Sequence, residues 1–333
     1  NFNEVPVVPL GYIFIQGATL QLNIMKLVNL SELSKDKQQE FLNSFDTVLT
    51  DCDGVLWLEN QLILGADQVM NSFKSLGKRI FYVTNNSTKT REQLIVKLKN
   101  LGFNAEPQEI VGTAYLAAQY LKKHLDPKKK VYIIGSSGIA DELNLVGIDN
   151  FGVGPDVLPS GMDYKSDFDQ IKLDPLVGAV VVGYDSHISY PKITKAACYL
   201  TDPNVLFVAT NTDESFPMGP HLTIPGTGAM VAAVKTGAQR EPVIIGKPSK
   251  LMGSYLIDNH NLNPKRTLMI GDRGNTDIRL GYNNGFQTFL VLTGDTTMEN
   301  AIAWSNSKDE EYKSRVADFY LPSLGHMLPL FSS

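Results

Sequence analysis

From Leu30 to the C-terminus, short apolar β-rich runs alternate with stretches of helical periodicity, an order that only layered architectures accommodate. Strands are expected at 45–50, 79–84, 131–135, 178–183, 205–210, 243–246, 267–271 and 287–292. Helical patterns lie between them at 66–76, 90–101, 110–124, 191–201, 227–237, 249–259 and 276–283. Several runs are apolar at successive positions, Val180-Val181-Val182 and Val243-Ile244-Ile245 among them. Strands covered on both faces read this way, so the expectation is a parallel α/β fold.

With 333 residues the chain exceeds what one hydrophobic core commonly serves, and two domains are expected. Lys128-Lys129-Lys130 precedes the strand at 131, residues 149–176 are rich in Gly, Pro and Asp, and the polar break Gln239-Arg240-Glu241-Pro242 leads into the strand at 243. These shifts place an inserted domain at 129–241, with the main domain formed by 25–128 and 242–333. Residues 1–24 are apolar and short of charge, and Met25 opens a more ordinary sequence. A secretory signal would carry a basic start, yet the first lysine is Lys26, so 1–24 is read as an extension outside the fold.

A net charge of -5 argues against a nucleic-acid or anionic-membrane surface. No apolar run approaches the roughly 20 residues of a membrane helix. Cys52 and Cys198 make neither a disulfide framework nor a zinc site, which fits a reducing, cytoplasmic setting.

Polar groups gather at four strand ends, where open parallel sheets bind ligands. Asp51 and Asp53 end the first run, Thr84-Asn85-Asn86-Ser87 the second, Gly246-Lys247-Pro248-Ser249 a third, and Gly271-Asp272-Arg273 a fourth, with Asp277 following. In extended chain Asp51 and Asp53 point to one side, and Gly54 lets the backbone turn away beneath them. Two such carboxylates repel unless a cation or a shared proton lies between them, which points to a divalent metal site with a nucleophilic carboxylate.

Phosphoryl transfer asks for this collection. A carboxylate nucleophile divides hydrolysis into two easier steps through an acyl phosphate. A hard cation offsets the charge of nucleophile and phosphate. Thr84, Asn85 and Lys247 offer donors and positive charge to the phosphate oxygens. Asp53 can protonate the leaving oxygen and then deprotonate the attacking water.

In combination and order, Asp51-Cys52-Asp53-Gly54-Val55, Thr84-Asn85, Lys247 and Gly271-Asp272 with Asp277 resemble the four motifs of the haloacid dehalogenase superfamily of phosphatases. Asp53-Gly54-Val55-Leu56-Trp57, Tyr82-Val83-Thr84-Asn85-Asn86-Ser87, Gly183-Tyr184-Asp185, Pro225-Gly226-Thr227-Gly228 and Gly246-Lys247-Pro248-Ser249 resemble its p-nitrophenyl phosphatase, phosphoglycolate phosphatase and pyridoxal phosphate phosphatase branch, from about residue 27 onward. The resemblance implies a doubly wound, mainly parallel, Rossmann-like core with an inserted α/β cap of C2 type. It implies Asp51 as nucleophile and Asp53 as general acid/base, with magnesium held by the Asp51 carboxylate, the Asp53 backbone carbonyl and Asp272. Thr84, Asn85 and Lys247 would bind phosphate, and Asp277 would orient the ligands from beside them or simply begin a helix. The substrate implied is a small phosphate ester such as phosphoglycolate, pyridoxal phosphate or p-nitrophenyl phosphate, and the cap would also form a homodimer contact.

Substrate choice is expected in the loop Asn211-Thr212-Asp213-Glu214-Ser215-Phe216-Pro217-Met218. Phe216 matches neither the histidine of the pyridoxal phosphate phosphatases nor the leucine of the phosphoglycolate phosphatases; it stacks on an aromatic leaving group or packs on its neighbours. Cys52 reads as an inert core thiol rather than a redox group, and His187 as a structural or dimer-contact residue. Gly226-Thr227-Gly228 has the form of a phosphate loop, and a turn between cap and core explains it equally. The alternatives are a phosphoprotein phosphatase of the same fold, C–P or C–halogen cleavage, and a non-catalytic scaffold. Asp53 argues against dehalogenation, and Asp51, Asp53, Lys247 and Asp272 together argue against a scaffold.

Overall fold

A computed structural model describes residues 27–156, 171–217 and 223–331, so the expected extension at 1–24 and Met218 lie outside the described residues. Seven parallel strands form the larger sheet, in the order Val28–Asn29, Phe319–Leu321, Gln287–Val291, Thr267–Gly271, Thr47–Thr50, Arg79–Thr84, Ile110–Gly112. From Thr47–Thr50 the chain winds outward through Arg79–Thr84 to Ile110–Gly112. It then returns to the other side through Thr267–Gly271 and Gln287–Val291. That is a doubly wound sheet, and its reversal point opens a crevice at the carboxyl ends of Thr47–Thr50 and Thr267–Gly271.

A second, five-stranded parallel sheet runs Val243–Ile244, Leu206–Ala209, Val177–Val182, Lys130–Ile134, Asn150–Phe151. Its central strands are apolar on both faces for a visible reason. Val131, Ile133, Ala179 and Val181 pack into a cluster shared with Leu49, Val83 and Met269 of the larger sheet. Their alternate neighbours Tyr132, Ile134, Val180 and Val182 pack on Ala196 and Val234 of the helices Tyr190–Tyr199 and Thr227–Ala238. Burial of a side chain of this size is worth about 1.5–3 kcal/mol, so both faces contribute.

Three expectations change. The run at 243 does not return to the main sheet: Val243 pairs with Val208 and Ile244 with Ala209, so the boundary drawn at 242 falls one strand early. A buried apolar run suits either sheet, and only the register distinguishes them. The helix expected over 110–124 begins at Thr113, because Ile110–Gly112 is an edge strand whose last residue caps the helix in extended conformation. The helix expected over 276–283 starts as a π-turn over Gly274–Ile278 before the α-helix Arg279–Asn284. Among the described residues no helix is long and apolar enough to cross a membrane.

Candidate active site

Asp51 follows directly on the fully buried strand Thr47–Thr50, and its backbone N–H still donates to Ile270 in the neighbouring strand at 2.9 Å. The strand therefore aims its carboxylate into the crevice with little freedom. Lys247 arrives from the loop after Val243–Ile244 and is only 2% exposed. Its ammonium lies 2.7 Å from Asp51 Oδ1 and 2.8 Å from Asp277 Oδ1, and it donates to the Val83 carbonyl at 3.0 Å. Burial alone would weaken the charge on Lys247; Asp277 and Asp51 more than offset that and hold the ammonium protonated far above neutrality.

Asp272 ends Thr267–Gly271 and accepts the Asp295 N–H on Oδ2 at 2.8 Å, while its buried Oδ1 has no hydrogen-bond partner. Asp277, at 0% exposure, accepts the Arg273 N–H on Oδ2 at 3.1 Å. Burial, and then the charge of Asp277, pushes the Asp272 carboxyl up to about 7. Burial likewise raises Asp51 well above the usual carboxylate range, against the pull of Lys247.

Carboxylate oxygens of Asp51, Asp272 and Asp277 lie within 4.8 Å of one another. Three carboxylates against the single ammonium of Lys247 leave two formal negative charges in a buried site, which a divalent cation would offset. The free Oδ1 of Asp272 and the all-oxygen donor set fit magnesium.

This cluster differs from the one expected at the strand end. Asp53 contributes no carboxylate to this trio; it is exposed, and its Oδ1 accepts the Trp57 indole N–H at 2.7 Å. The chain has left the strand by then. Gly54, at φ 84, starts a turn closed by its own N–H on the Trp57 carbonyl at 2.8 Å. Here glycine is required twice over: the positive φ, and the 2.6 Å that a Cβ would leave to Asp272 Cγ.

Thr84 is buried beside Lys247's acceptor Val83, and its hydroxyl oxygen accepts the Asn86 N–H at 3.1 Å. Asn85, expected to bind phosphate, has its side-chain amide engaged by protein groups. Its Oδ1 accepts the Lys247 N–H at 2.8 Å, and its Nδ2 donates to the Lys247 carbonyl at 3.1 Å and to Asp213 Oδ2 at 2.8 Å. Phe216 sits on Ser215–Pro217, its backbone opposite Ile224, and its side chain is outside the described part.

Gly226 and Gly228 donate their N–H groups to the Glu214 and Asp213 carbonyls at 2.8 and 2.9 Å, so this run braces a loop and leaves those donors none for a phosphate. Cys52 is buried and its thiol is pushed far up, first by burial and then by Asp51 and Asp53. His187 donates its backbone N–H to Asp185 Oδ1 at 2.8 Å. Asp213, Arg273 and Trp57 bond to these residues or to one another, although the sequence placed Asp213 only within the substrate-choice loop and gave Arg273 and Trp57 no role of their own. The polar run Asn211-Thr212-Asp213 after an apolar strand was the signal for the first.

The model described as haloacid dehalogenase-like hydrolase matches residues 48–149, and a HAD-hydrolase-like model matches 244–324. Glycerol-3-phosphate phosphatase from Rattus norvegicus is 42% identical over 304 residues, covering 89% of this chain and 94% of the relative. The chain belongs to the haloacid dehalogenase-like hydrolases. Within that family phosphoglycolate phosphatase 2 from Arabidopsis thaliana is 40% identical over 290 residues, covering 86% of this chain and 96% of the relative. A glycerol phosphate phosphatase from Mycobacterium tuberculosis, solved with magnesium, superposes with a TM-score of 0.68 at 26% identity, over 86% of this chain and 77% of that one. This haloacid dehalogenase-like hydrolase is accordingly a phosphatase.

Proposed function

We propose that this phosphatase acts on a small phosphorylated alcohol or hydroxy acid, of the size of glycerol 3-phosphate or phosphoglycolate, with Asp51 as nucleophile. The observation that carries the reading is the buried group of Asp51, Lys247, Asp272 and Asp277 at the reversal point of the sheet. The substrates named for the two relatives support the size class.

In this reading an Asp51 oxygen attacks phosphorus, the bond from phosphorus to the ester oxygen breaks, and Asp53 passes its proton to that oxygen. Asp53, oriented by Trp57, then takes a proton from water as the water oxygen attacks the aspartyl phosphate. The bond between the Asp51 oxygen and phosphorus opens, and inorganic phosphate leaves. Lys247 and the Thr84 hydroxyl meet the charge on the equatorial oxygens. Asp51, the Asp53 backbone carbonyl and Asp272 would hold magnesium, with Asp277 steadying Lys247 and the Arg273 backbone beside them. Magnesium, when bound, supplies charge neutralisation for nucleophile and phosphate.

The five-stranded sheet and its helices form the cap, ending after Ile244. A cytoplasmic homodimer through the cap completes the proposal; Phe151 on the cap's edge strand and the neighbouring Leu145 and Val153 are exposed there, and both cysteines are free. Replacement Asp51→Asn tests the chemistry: magnesium-dependent p-nitrophenyl phosphate hydrolysis surviving at the parental rate would sink it. Parallel kcat/KM values for glycerol 3-phosphate, phosphoglycolate and pyridoxal phosphate test the size class. Sedimentation at twice the monomer mass of 36.7 kDa, lost in Phe151→Asp, tests the dimer.

A further inference from the structure

We propose that Asp213 is a positioning residue that transmits the placement of the cap loop to Lys247 through the side chain of Asn85. The inference rests on the reading of Asp51 and Lys247 as nucleophile and phosphate-binding cation.

Asp213 belongs to the loop between Leu206–Ala209 of the second sheet and the hairpin strand Ser215–Pro217, whereas Asn85 follows Arg79–Thr84 of the main sheet. Their side chains nonetheless meet: Asp213 Oδ2 accepts from Asn85 Nδ2 at 2.8 Å and from Asn211 Nδ2 at 2.6 Å. Asn211 is buried, and its Oδ1 accepts the buried Thr210 hydroxyl at 2.7 Å, so the acceptor is approached by a fixed donor from its own loop. The other oxygen, Oδ1, faces Arg273 Nη1 at 3.4 Å, next in sequence to Asp272.

Asn85 carries the contact onward. Its amide brackets the backbone of Lys247, accepting the N–H at 2.8 Å and donating to the carbonyl at 3.1 Å, and the Lys247 ammonium stands 2.7 Å from Asp51. Little slack exists along this line. A Cβ at Gly246 would lie 2.5 Å from Asn85 Oδ1 and 2.6 Å from the Thr210 carbonyl. Behind Asp213, a Cβ at Gly226 would lie 2.2 Å from its carbonyl oxygen, so the helix start at Thr227 presses the loop into place.

Without the Asp213 carboxylate, Asn85 Nδ2 keeps only its longer bond to the Lys247 carbonyl, and the amide is free to rotate away from the Lys247 N–H. Displacement of a phosphate-binding ammonium by a fraction of an ångström lowers transition-state stabilisation more than substrate affinity.

The experiment uses the full chain with magnesium and p-nitrophenyl phosphate, with rates expressed per folded molecule from circular dichroism. Asp213→Ala is expected to lower kcat about tenfold with KM changed less than about twofold. Asp213→Asn, whose amide oxygen can still accept from both Asn85 and Asn211, is expected to stay within about threefold of the parent. The double variant Asn85→Ala, Asp213→Ala is expected to be no slower than Asn85→Ala alone. Multiplicative losses in the double variant, an effect confined to KM, or equal losses in Asp213→Asn and Asp213→Ala overturn the proposal. Asp51→Asn serves as the reference: activity surviving there removes the underlying reading, whereas inactivity there with a parental rate in Asp213→Ala removes only the role of Asp213.

Discussion

Trp57 holds Asp53 by a 2.7 Å hydrogen bond from its indole nitrogen to Oδ1, while the ring itself is buried under the Lys97 ammonium, 4.2 Å from its centre. An exposed carboxylate is thereby pinned by a core residue four positions on. Trp57→Phe keeps most of the packing and removes the donor. It should lower kcat about tenfold by freeing Asp53, while KM for p-nitrophenyl phosphate stays within about twofold. Steady-state kinetics check this, and an unchanged kcat would show that the bond does not orient Asp53.

Gly54→Ala places a methyl group at φ 84, 2.6 Å from Asp272 Cγ. Either the turn or the Asp272 carboxylate must move. Activity is expected to fall by about 100-fold or more, with a matching loss of magnesium affinity. Calorimetric titration with magnesium reads the second effect directly.

Magnesium binding should depend on pH through Asp272. Its carboxyl is raised to about 7, above the ordinary value of 3.8, first by burial and then by Asp277. The metal-free fold therefore binds a proton that the unfolded chain releases near pH 4. The stability this contributes is fully present below that and is lost as pH rises through about 7. Magnesium held by Asp272 would compete with that proton, so the rise in Tm on adding it should be larger at pH 8 than at pH 5.5. Equal shifts at the two values would contradict the assignment of Asp272 to the metal.

Lys192 and Asp185 form an ion pair of 2.6 Å with side chains 0% and 2% exposed. Lys192→Met leaves the Asp185 carboxylate buried without its cation and should cost about 3–5 kcal/mol by urea unfolding. Lys192 lies on the helix Tyr190–Tyr199 and bonds to none of Asp51, Lys247, Asp272 or Asp277 in this pair, so kcat of the folded fraction should be unaltered.

Cys52 is buried with its thiol pushed upward by burial and by the flanking carboxylates, whereas Cys198 is half-buried. Native alkylation at pH 8 should modify Cys198 and spare Cys52, as peptide mass mapping would show. Modification of Cys52 at the same rate would mean that the strand end opens.

The sequence by itself determined the parallel α/β class, the positions of most core strands along the chain, and the residues at the strand ends, because apolar periodicity and local turn chemistry are written in neighbouring residues. Thr47–Thr50 and Thr267–Gly271 were legible as buried runs with carboxylates behind them. Shorter elements such as Val28–Asn29 and Phe319–Leu321 were not, since two or three residues carry no period. Only the tertiary structure decided that Val243–Ile244 joins the second sheet, that Asp277 rather than the Asp53 carboxylate completes the acidic trio, and that Asn85 holds Lys247 and Asp213. Each of these is a pairing between residues far apart in the chain. Such pairings are selected by register, burial and charge balance in three dimensions, none of which leaves a local pattern to read.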